Sequence, residues 1–450
     1  MLATRKNQLS LSQPGIYHYL RQDGENKKRI HLRIDPDGYA TLLIDAAQVY
    51  HFNPSAALMA KAYLDDLSEK QAVQALGAAF RVKKEQAASD YAEFIDQLSL
   101  IVSPTAHACP FCDLNLEVTA PFSKQPSAPY RMDLALTYAC NNDCAHCYNV
   151  KQRNLPSLSL PEWQRVLGKV WDAGIPHVVF TGGEPTLVKF LPQLIQYAEQ
   201  LGLITGLNTN GRRLQDQAFV QQLLDAGLDH IQITLESHDP VIHDRMVAHA
   251  GAFQETVQGI RNALATRLFV MTNTTLIHSN APFLRETLQF LTELHVPTVG
   301  LNGIIHSGRG RHFGEELQES ELPALLDLAQ HFTAANGQKL IWYTPTQYCH
   351  FDPISMNLGV KGCTAALYNM CVEPNGDVLP CQSYYSSLGN ILTEDWQAIW
   401  EHDLAVSIRE KRYLPADCRQ CVLLETCGGG CPLSIDENTA VNPHYALQVD

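Results

Sequence analysis

The sequence predicts an α/β protein: an open, partial (β/α)6 barrel with a small α+β domain before it and a cysteine-rich domain after it. Three observations carry this. Strand-like and helix-like stretches alternate between Met132 and about Tyr343, which specifies a parallel sheet with right-handed crossovers. Strands followed by helices fill the stretch from Gly15 to about Val102. From about Thr344 onward Cys and Gly are dense and regular period fades, as in small segments that depend on metal for stability. At 450 residues and 45% apolar content, the chain can bury several cores.

Residues 30–34 and 39–44 alternate like strands around Asp35-Pro36-Asp37-Gly38, a hairpin turn signal. Helical stretches follow at 55–64, 69–76 and 86–98, with Asn53-Pro54 as cap and helix start. The first domain is therefore set at 15–102. A linker at 103–129 holds Pro104, Pro110, Pro121, Pro126 and Pro129, a density that blocks regular structure, and contains Cys109-Pro110-Phe111-Cys112. The barrel spans 130–343, with strands at 132–138, 177–181, 204–208, 230–235, 269–275 and 298–302. Helices at 161–173, 214–226, 253–265 and 281–294 lie between them. Six units suit an open barrel better than a closed eight-stranded one, and a ligand site is expected at the carboxyl ends of the strands. The cysteine-rich domain is set at 344–435.

The formal net charge of −14 argues against a nucleic-acid backbone as partner, and Lys27-Lys28-Arg29 reads as a solvated hairpin edge. No apolar run reaches the roughly 18 residues of a membrane span, and residues 1–10 carry no signal-peptide pattern, so a cytoplasmic protein is expected. There are 13 cysteines, an odd number, mostly in short C-x2-C or C-x3-C groups. Such groups read as metal or cluster ligands rather than disulfides, and thiolate-rich sites choose zinc or iron–sulfur.

The first strand of the barrel runs straight into Cys140, Cys144 and Cys147, spaced C-x3-C-x2-C. Three thiolates on one loop can hold three irons of a four-iron cluster and leave the fourth iron open, as catalytic metal sites do. A zinc knuckle is the competing reading. The loop resembles the signature of the radical S-adenosylmethionine (SAM) superfamily, with Tyr148 as the aromatic residue beside the third cysteine. That resemblance implies catalysis at a SAM-binding 4Fe–4S cluster on Cys140, Cys144 and Cys147, and one-electron cleavage of SAM to a 5′-deoxyadenosyl radical. One βα unit later, Thr181-Gly182-Gly183-Glu184-Pro185 resembles the family's GGEP motif. It implies that Gly182, Gly183 and Glu184 bind the SAM amino group, Glu184 accepting from the ammonium. Asn208-Thr209-Asn210-Gly211, Glu236 and Asn273 stand at later strand ends. There they either touch the ribose or carboxylate of SAM or satisfy loop backbone. His238, His243 and His249 read as surface or internally satisfied histidines.

The carboxyl-terminal spacing is Cys363-x12-Gly376-x4-Cys381, then Cys418-x2-Cys421-x5-Cys427-x3-Cys431. It resembles the SPASM extension of peptide-modifying radical SAM enzymes, and so implies one or two auxiliary 4Fe–4S clusters on these six cysteines. Relatives with two full clusters have a further cysteine, and this chain has none after Cys431. The second cluster would then use a non-Cys ligand, borrow a distant thiolate or be absent. Cys349 and Cys371 are extra thiols expected near the first auxiliary site, and either one could complete it; for Cys371 a small buried strand residue is the other reading. Cys109 and Cys112 fit a metal or cluster ligand pair, a redox pair or no function.

In the first domain, Leu42-Leu43-Ile44-Asp45, Tyr50 to Pro54, Leu64-Asp65-Asp66-Leu67, Phe80, Val82, Phe94, Ile95 and Leu98 form a pattern similar to the PqqD-like peptide-recognition domain. Asp65-Asp66 stands where that family has Asp-Gly. The likeness implies a winged helix-turn-helix-like fold that captures a leader peptide by strand addition. The full order resembles sactipeptide and ranthipeptide maturases. It implies modification of a ribosomally made peptide by a thioether or other radical cross-link, a leader-peptide partner, and an electron donor such as flavodoxin or ferredoxin. Two alternatives stand beside it: a radical SAM enzyme acting on a small molecule such as a tetrapyrrole, and a non-catalytic iron–sulfur scaffold for a peptide.

Overall fold

A computed structural model describes residues 13–23, 26–103, 122, 125–149 and 156–435. Cys109 and Cys112 lie outside the described residues. The chain divides into two compact units. One is formed by the chain up to Thr119 with Val170–Pro176 and Gly202–Ile204; the other is the remainder.

In the first unit, β1 (Gly15–Asp23), β2 (Asn26–Ile34), β3 (Ala40–Ile44) and β4 (Gln48–Phe52) form an antiparallel sheet in chain order. The expected hairpin joins β2 to β3, closed by Gly38 N–H to Asp35 O at 2.9 Å. Strands β1 and β4 were not expected. Both are short on buried apolar alternation, and β4 is largely exposed. Three helices follow, α1 (Pro54–Leu64), α2 (Glu69–Phe80) and α3 (Lys84–Val102). Asn53 Oδ1 accepts from Ala56 N–H at 2.9 Å and Pro54 opens α1, which is the start signal read from the sequence. Ile30, Leu32, Leu42 and Ile44 of the sheet share one core with Ala57, Ala60, Leu64 and Leu98 of the helices. Each large apolar side chain buried this way contributes about 1.5–3 kcal/mol.

The second unit is built on a nine-stranded sheet in the order β11-β10-β9-β8-β7-β6-β5-β12-β13. Its strands are β5 (Arg131–Thr137), β6 (His177–Gly182), β7 (Ile204–Thr209), β8 (His230–Thr234), β9 (Phe269–Thr275), β10 (Thr298–Asn302), β11 (Lys339–Trp342), β12 (Asn369–Val372) and β13 (Val378–Leu379). The first six match the expected barrel strands within two residues. Their buried faces read as continuous apolar runs, such as Val178, Val179 and Phe180 in β6, as strands covered on both sides should. The helices between them bury one stripe each; Trp163, Val166 and Leu167 in α4 (Leu160–Asp172) are fully buried.

Two differences from expectation matter for the site. β11 adds a seventh strand, parallel to β10. And the cysteine-rich region, expected to have little regular period, contributes β12, which pairs parallel to β5 with Asn369 opposite Arg131 and Val372 opposite Leu134. A polar network locks that pairing. Asp133 in β5 is fully buried, and it accepts from Asn369 Nδ2 at 3.1 Å and pairs with Arg131 Nε at 3.1 Å. Burial pushes the Asp133 carboxyl up, and these partners oppose the shift. Among the described residues, no helix is long and apolar enough to cross a membrane.

Candidate active site

The chain leaves β5 through Tyr138 and Ala139 into the loop of Cys140, Cys144 and Cys147. This loop has no regular structure of its own and is held by its neighbours. After β6, Gly183 N–H donates to Thr137 O at 2.6 Å and Glu184 N–H to Ala139 O at 2.8 Å. After β7, Asn210 Nδ2 donates to Asn141 Oδ1 at 2.7 Å, and Arg212 Nη1 donates to Asn141 O at 2.6 Å and Asn142 Oδ1 at 2.9 Å. After β8, Glu236 Oε1 meets His146 Nε2 at 3.0 Å. After β10, Arg309 donates its N–H to Cys147 O at 2.9 Å and its guanidinium to Asp143 Oδ1 at 2.9 Å. The carboxyl ends of four strands thus converge on one loop, where the strand-end rule places a ligand site.

The two glutamates singled out in the sequence are both buried and hydrogen-bonded within the protein. Glu184 is fully buried, and its carboxylate accepts from Thr186 N–H (3.0 Å), Thr186 Oγ1 (2.7 Å), Thr209 Oγ1 (2.7 Å) and Asn210 N–H (2.8 Å). Burial still pushes its carboxyl up. Its oxygens are engaged by protein donors, so it ties the β6 loop to the β7 loop instead of standing open for an ammonium. Glu236 is equally buried, with one oxygen on His146 and the other on Thr275 N–H at 2.8 Å.

The remaining predicted residues are distributed around this centre. Tyr148 bonds the Thr181 side chain, and burial raises its hydroxyl. Asn208 is half-buried on β7. Asn273 on β9 donates to Asn302 Oδ1 at 2.7 Å, while its own Oδ1 is buried without a hydrogen-bond partner among the described residues. His243 Nδ1 accepts from Glu236 N–H at 3.2 Å, while its Nε2 is buried without a hydrogen-bond partner among the described residues, and His249 Nε2 meets the Arg212 guanidinium at 2.7 Å. His146 and Arg212 were missed. A histidine inside a cysteine motif, and an arginine just after Asn210-Gly211, were the available signals.

Arg212 is buried and also pairs with Glu255 Oε2 at 2.5 Å. Arg212→Met should therefore leave Asn141 O and Asn142 Oδ1 without their donor. We expect it to lower stability by about 2 kcal/mol in denaturant unfolding. An unchanged midpoint would show that the loop does not depend on this tie.

Among the described residues no cysteine is in a disulfide. Burial holds the Cys144 thiol well above its usual range, and Cys147, Glu236 and Cys140 add to it. Ligation to iron removes that proton outright, so the donor set fits a thiolate-bound iron–sulfur cluster. Burial also raises several C-terminal thiols. Cys363 is raised by burial and by Cys431 and Cys381; Cys381 is pushed up to about 12, mainly by burial, with Cys431 contributing. Cys418 is raised by burial, then by Cys349, Cys427 and Cys421. Cys349 follows Tyr348, whose N–H donates to Cys427 Sγ at 3.4 Å. Cys371 packs with Ala135, Tyr138, Leu379 and Tyr385, as a buried strand residue. Among the described residues, no three His, Cys, Asp or Glu side chains converge at the spacing of a single metal ion.

Residues 134–300 match the radical SAM superfamily, and residues 363–422 match the iron–sulfur cluster-binding SPASM domain. The PqqA peptide cyclase of Rhizobium meliloti is 27% identical over 315 residues, covering 67% of this chain and 82% of the cyclase. The Fe-coproporphyrin III synthase of Methanosarcina barkeri is 26% identical over 329 residues, covering 65% of this chain and 81% of the synthase. Streptococcus suis SuiB, solved with S-adenosylmethionine, superposes with a TM-score of 0.67 at 18% identity, over 92% of this chain and 96% of SuiB. With precursor peptide SuiA bound, SuiB superposes with a TM-score of 0.65, over 93% and 96%. The chain thus carries a radical SAM domain at residues 134–300 and a SPASM domain at residues 363–422, and it is an enzyme with 4Fe–4S clusters and SAM as its cofactors.

Proposed function

We propose that this enzyme modifies a ribosomally made peptide, forming a thioether or another radical cross-link. The observation that carries the chemistry is the loop of Cys140, Cys144 and Cys147, gripped by the ends of β6, β7, β8 and β10. These three thiolates hold a four-iron cluster with one open iron. When bound, that cluster supplies one electron to the sulfonium of SAM, drawn from a flavodoxin or ferredoxin in the cytoplasm.

The chain's own residues position the reactants. Gly182 and Gly183 bring the β6 loop against the cysteine loop and present the SAM methionine to it. Glu184 acts through the β6 and β7 loops it fixes, and Glu236 through His146. Asn208, Asn273 and Tyr148 complete the polar and aromatic surround. Cys363, Cys381 and Cys431 hold one auxiliary cluster, and Cys418, Cys421 and Cys427 hold another.

The peptide reading is supported by the first unit. The likeness to SuiB extends over 92% of the chain, more than the second unit alone, and SuiB has been solved with its precursor peptide. Edge strands β1 and β4 offer unpaired backbone for a leader peptide to pair with, in the manner of a PqqD-like domain. The synthase from Methanosarcina barkeri, nearly as similar as the cyclase, keeps a tetrapyrrole substrate as the second reading.

The test pairs two substrates. Anaerobically reconstituted enzyme, SAM and dithionite are incubated with synthetic peptides from short reading frames beside the gene, or with iron-coproporphyrin III. A peptide that loses two hydrogens by mass spectrometry supports the proposal. Turnover of the porphyrin with every peptide unchanged would replace it by the tetrapyrrole reading.

A further inference from the structure

Three thiolates at Cys418, Cys421 and Cys427 leave one iron of a four-iron cluster without a protein ligand, and no cysteine follows Cys431. In the ligand set proposed above, Cys431 serves the first cluster with Cys363 and Cys381. We infer that Cys349 is the fourth ligand of the cluster on Cys418, Cys421 and Cys427, supplied from upstream of the domain's own motif. The inference rests on reading these thiols as cluster ligands.

The geometry is specific to the segment that carries Cys349. Tyr348 N–H, one residue before it, donates to Cys427 Sγ at 3.4 Å, and Cys427 Sγ lies 3.8 Å from Thr346 O. Gln347 Nε2 donates to Gly429 O at 3.2 Å. Gly430, at φ +80°, leaves the room Gln347 needs: an added Cβ would sit 2.7 Å from Gln347 Cγ. Residues 346–348 are thus fastened along the Cys427–Gly430 loop.

The segment is anchored from its other side as well. Thr346 accepts from Trp342 Nε1 at 3.1 Å and donates its N–H to Lys361 O at 3.0 Å. The Tyr348 hydroxyl accepts from Lys361 N–H at 3.1 Å. These bonds fix the backbone that leads into Cys349, directly beside Cys427 Sγ. Two separate stretches of chain therefore bring four thiols together. They stand near enough to interact and, among the described residues, do not converge at single-ion spacing. An exposed thiol without such a role would be open to oxidation.

The experiment uses the full chain with Cys140, Cys144 and Cys147 replaced by alanine, so that only auxiliary clusters contribute. Iron, sulfide and electron paramagnetic resonance are compared for this parent, for added Cys349→Ala and for added Cys418→Ala/Cys421→Ala. With Cys349→Ala we expect a loss of about one iron with a three-iron signal, or of about four irons with the whole cluster. Unchanged iron and spectrum with Cys349→Ala, where Cys418→Ala/Cys421→Ala loses a cluster, overturns the role of Cys349 alone. Unchanged iron in both overturns the reading of the whole group as ligands. A second readout needs no variant. In the wild-type holoenzyme Cys349 should resist iodoacetamide and become alkylated after iron is chelated; equal labelling before and after would refute ligation.

Discussion

Replacing Cys140, Cys144 and Cys147 together by alanine is expected to remove about four irons per chain and abolish reductive cleavage of SAM. The loop itself should survive. Its backbone is held by Arg309 N–H on Cys147 O, by Asp143 N–H on Val247 O and by Arg212 on Asn141 O, none of which uses a thiol. The bond from Asn142 N–H to Cys140 Sγ does use sulfur, and at 3.4 Å it is weak. The variant should therefore keep wild-type circular dichroism while yielding no 5′-deoxyadenosine or methionine by mass spectrometry. The iron it retains counts the auxiliary clusters directly. Equal SAM cleavage by the variant and the wild type would remove this loop from the chemistry altogether.

Gly183→Ala is expected to have the next largest effect, with every thiol left in place. An added Cβ would lie 2.3 Å from Ala139 O and 2.6 Å from Tyr138 O, and both are backbone atoms that cannot swing aside. To fit, the Gly183–Glu184 segment must move off β5, lengthening Gly183 N–H to Thr137 O and Glu184 N–H to Ala139 O. Ala139 is the residue before Cys140, so the displacement falls between the surface proposed to cradle SAM and the cluster loop. A misplacement of about 1 Å costs about a hundred-fold in rate. We expect SAM cleavage to fall by about that factor with iron content near wild type. Gly168 is the control, since an added Cβ there meets nothing within 4 Å. Alanine at that helical position should add about 0.5–1 kcal/mol of stability and leave cleavage unchanged. If Gly183→Ala cleaves SAM as fast as Gly168→Ala, close backbone approach at this turn is not required.

The barrel strands and the two motifs could be read in advance because each depends on short-range pattern. Apolar runs mark β5 to β10, and Cys140 to Cys147 and Gly182 to Glu184 sit where those runs stop. The ties among the loops could not be read. Asn141 and Arg212 are 71 residues apart, and nothing local says that one bonds the other. The same holds for Cys349, which resembles a stray thiol until the fold lays Tyr348 against Cys427, 79 residues on. Glu184 shows the opposite case: its motif is legible, but its bonds to Thr209 and Asn210 across the two loops are revealed only by tertiary structure. The strand reading of Cys371 was available, but the pairing of β12 with β5 was not, because four buried residues, Asn369 to Val372, are too few to establish a period or name a partner.

The pairing of β12 with β5 has a consequence for biosynthesis. Arg131 and Asn369, which meet across it, are separated by 238 positions in the chain. At a translation rate of about 5–20 residues per second, β5 waits on the order of ten seconds or more for that neighbour to emerge from the ribosome. Throughout that interval one side of β5 is an open template and Asp133 lacks its Asn369 partner. The cysteine loop that β5 carries therefore cannot reach its final support on the nascent chain until most of the protein has been made. Metal loading at that loop is expected to be a late event, and early stalling of translation would leave a sticky, metal-free fragment.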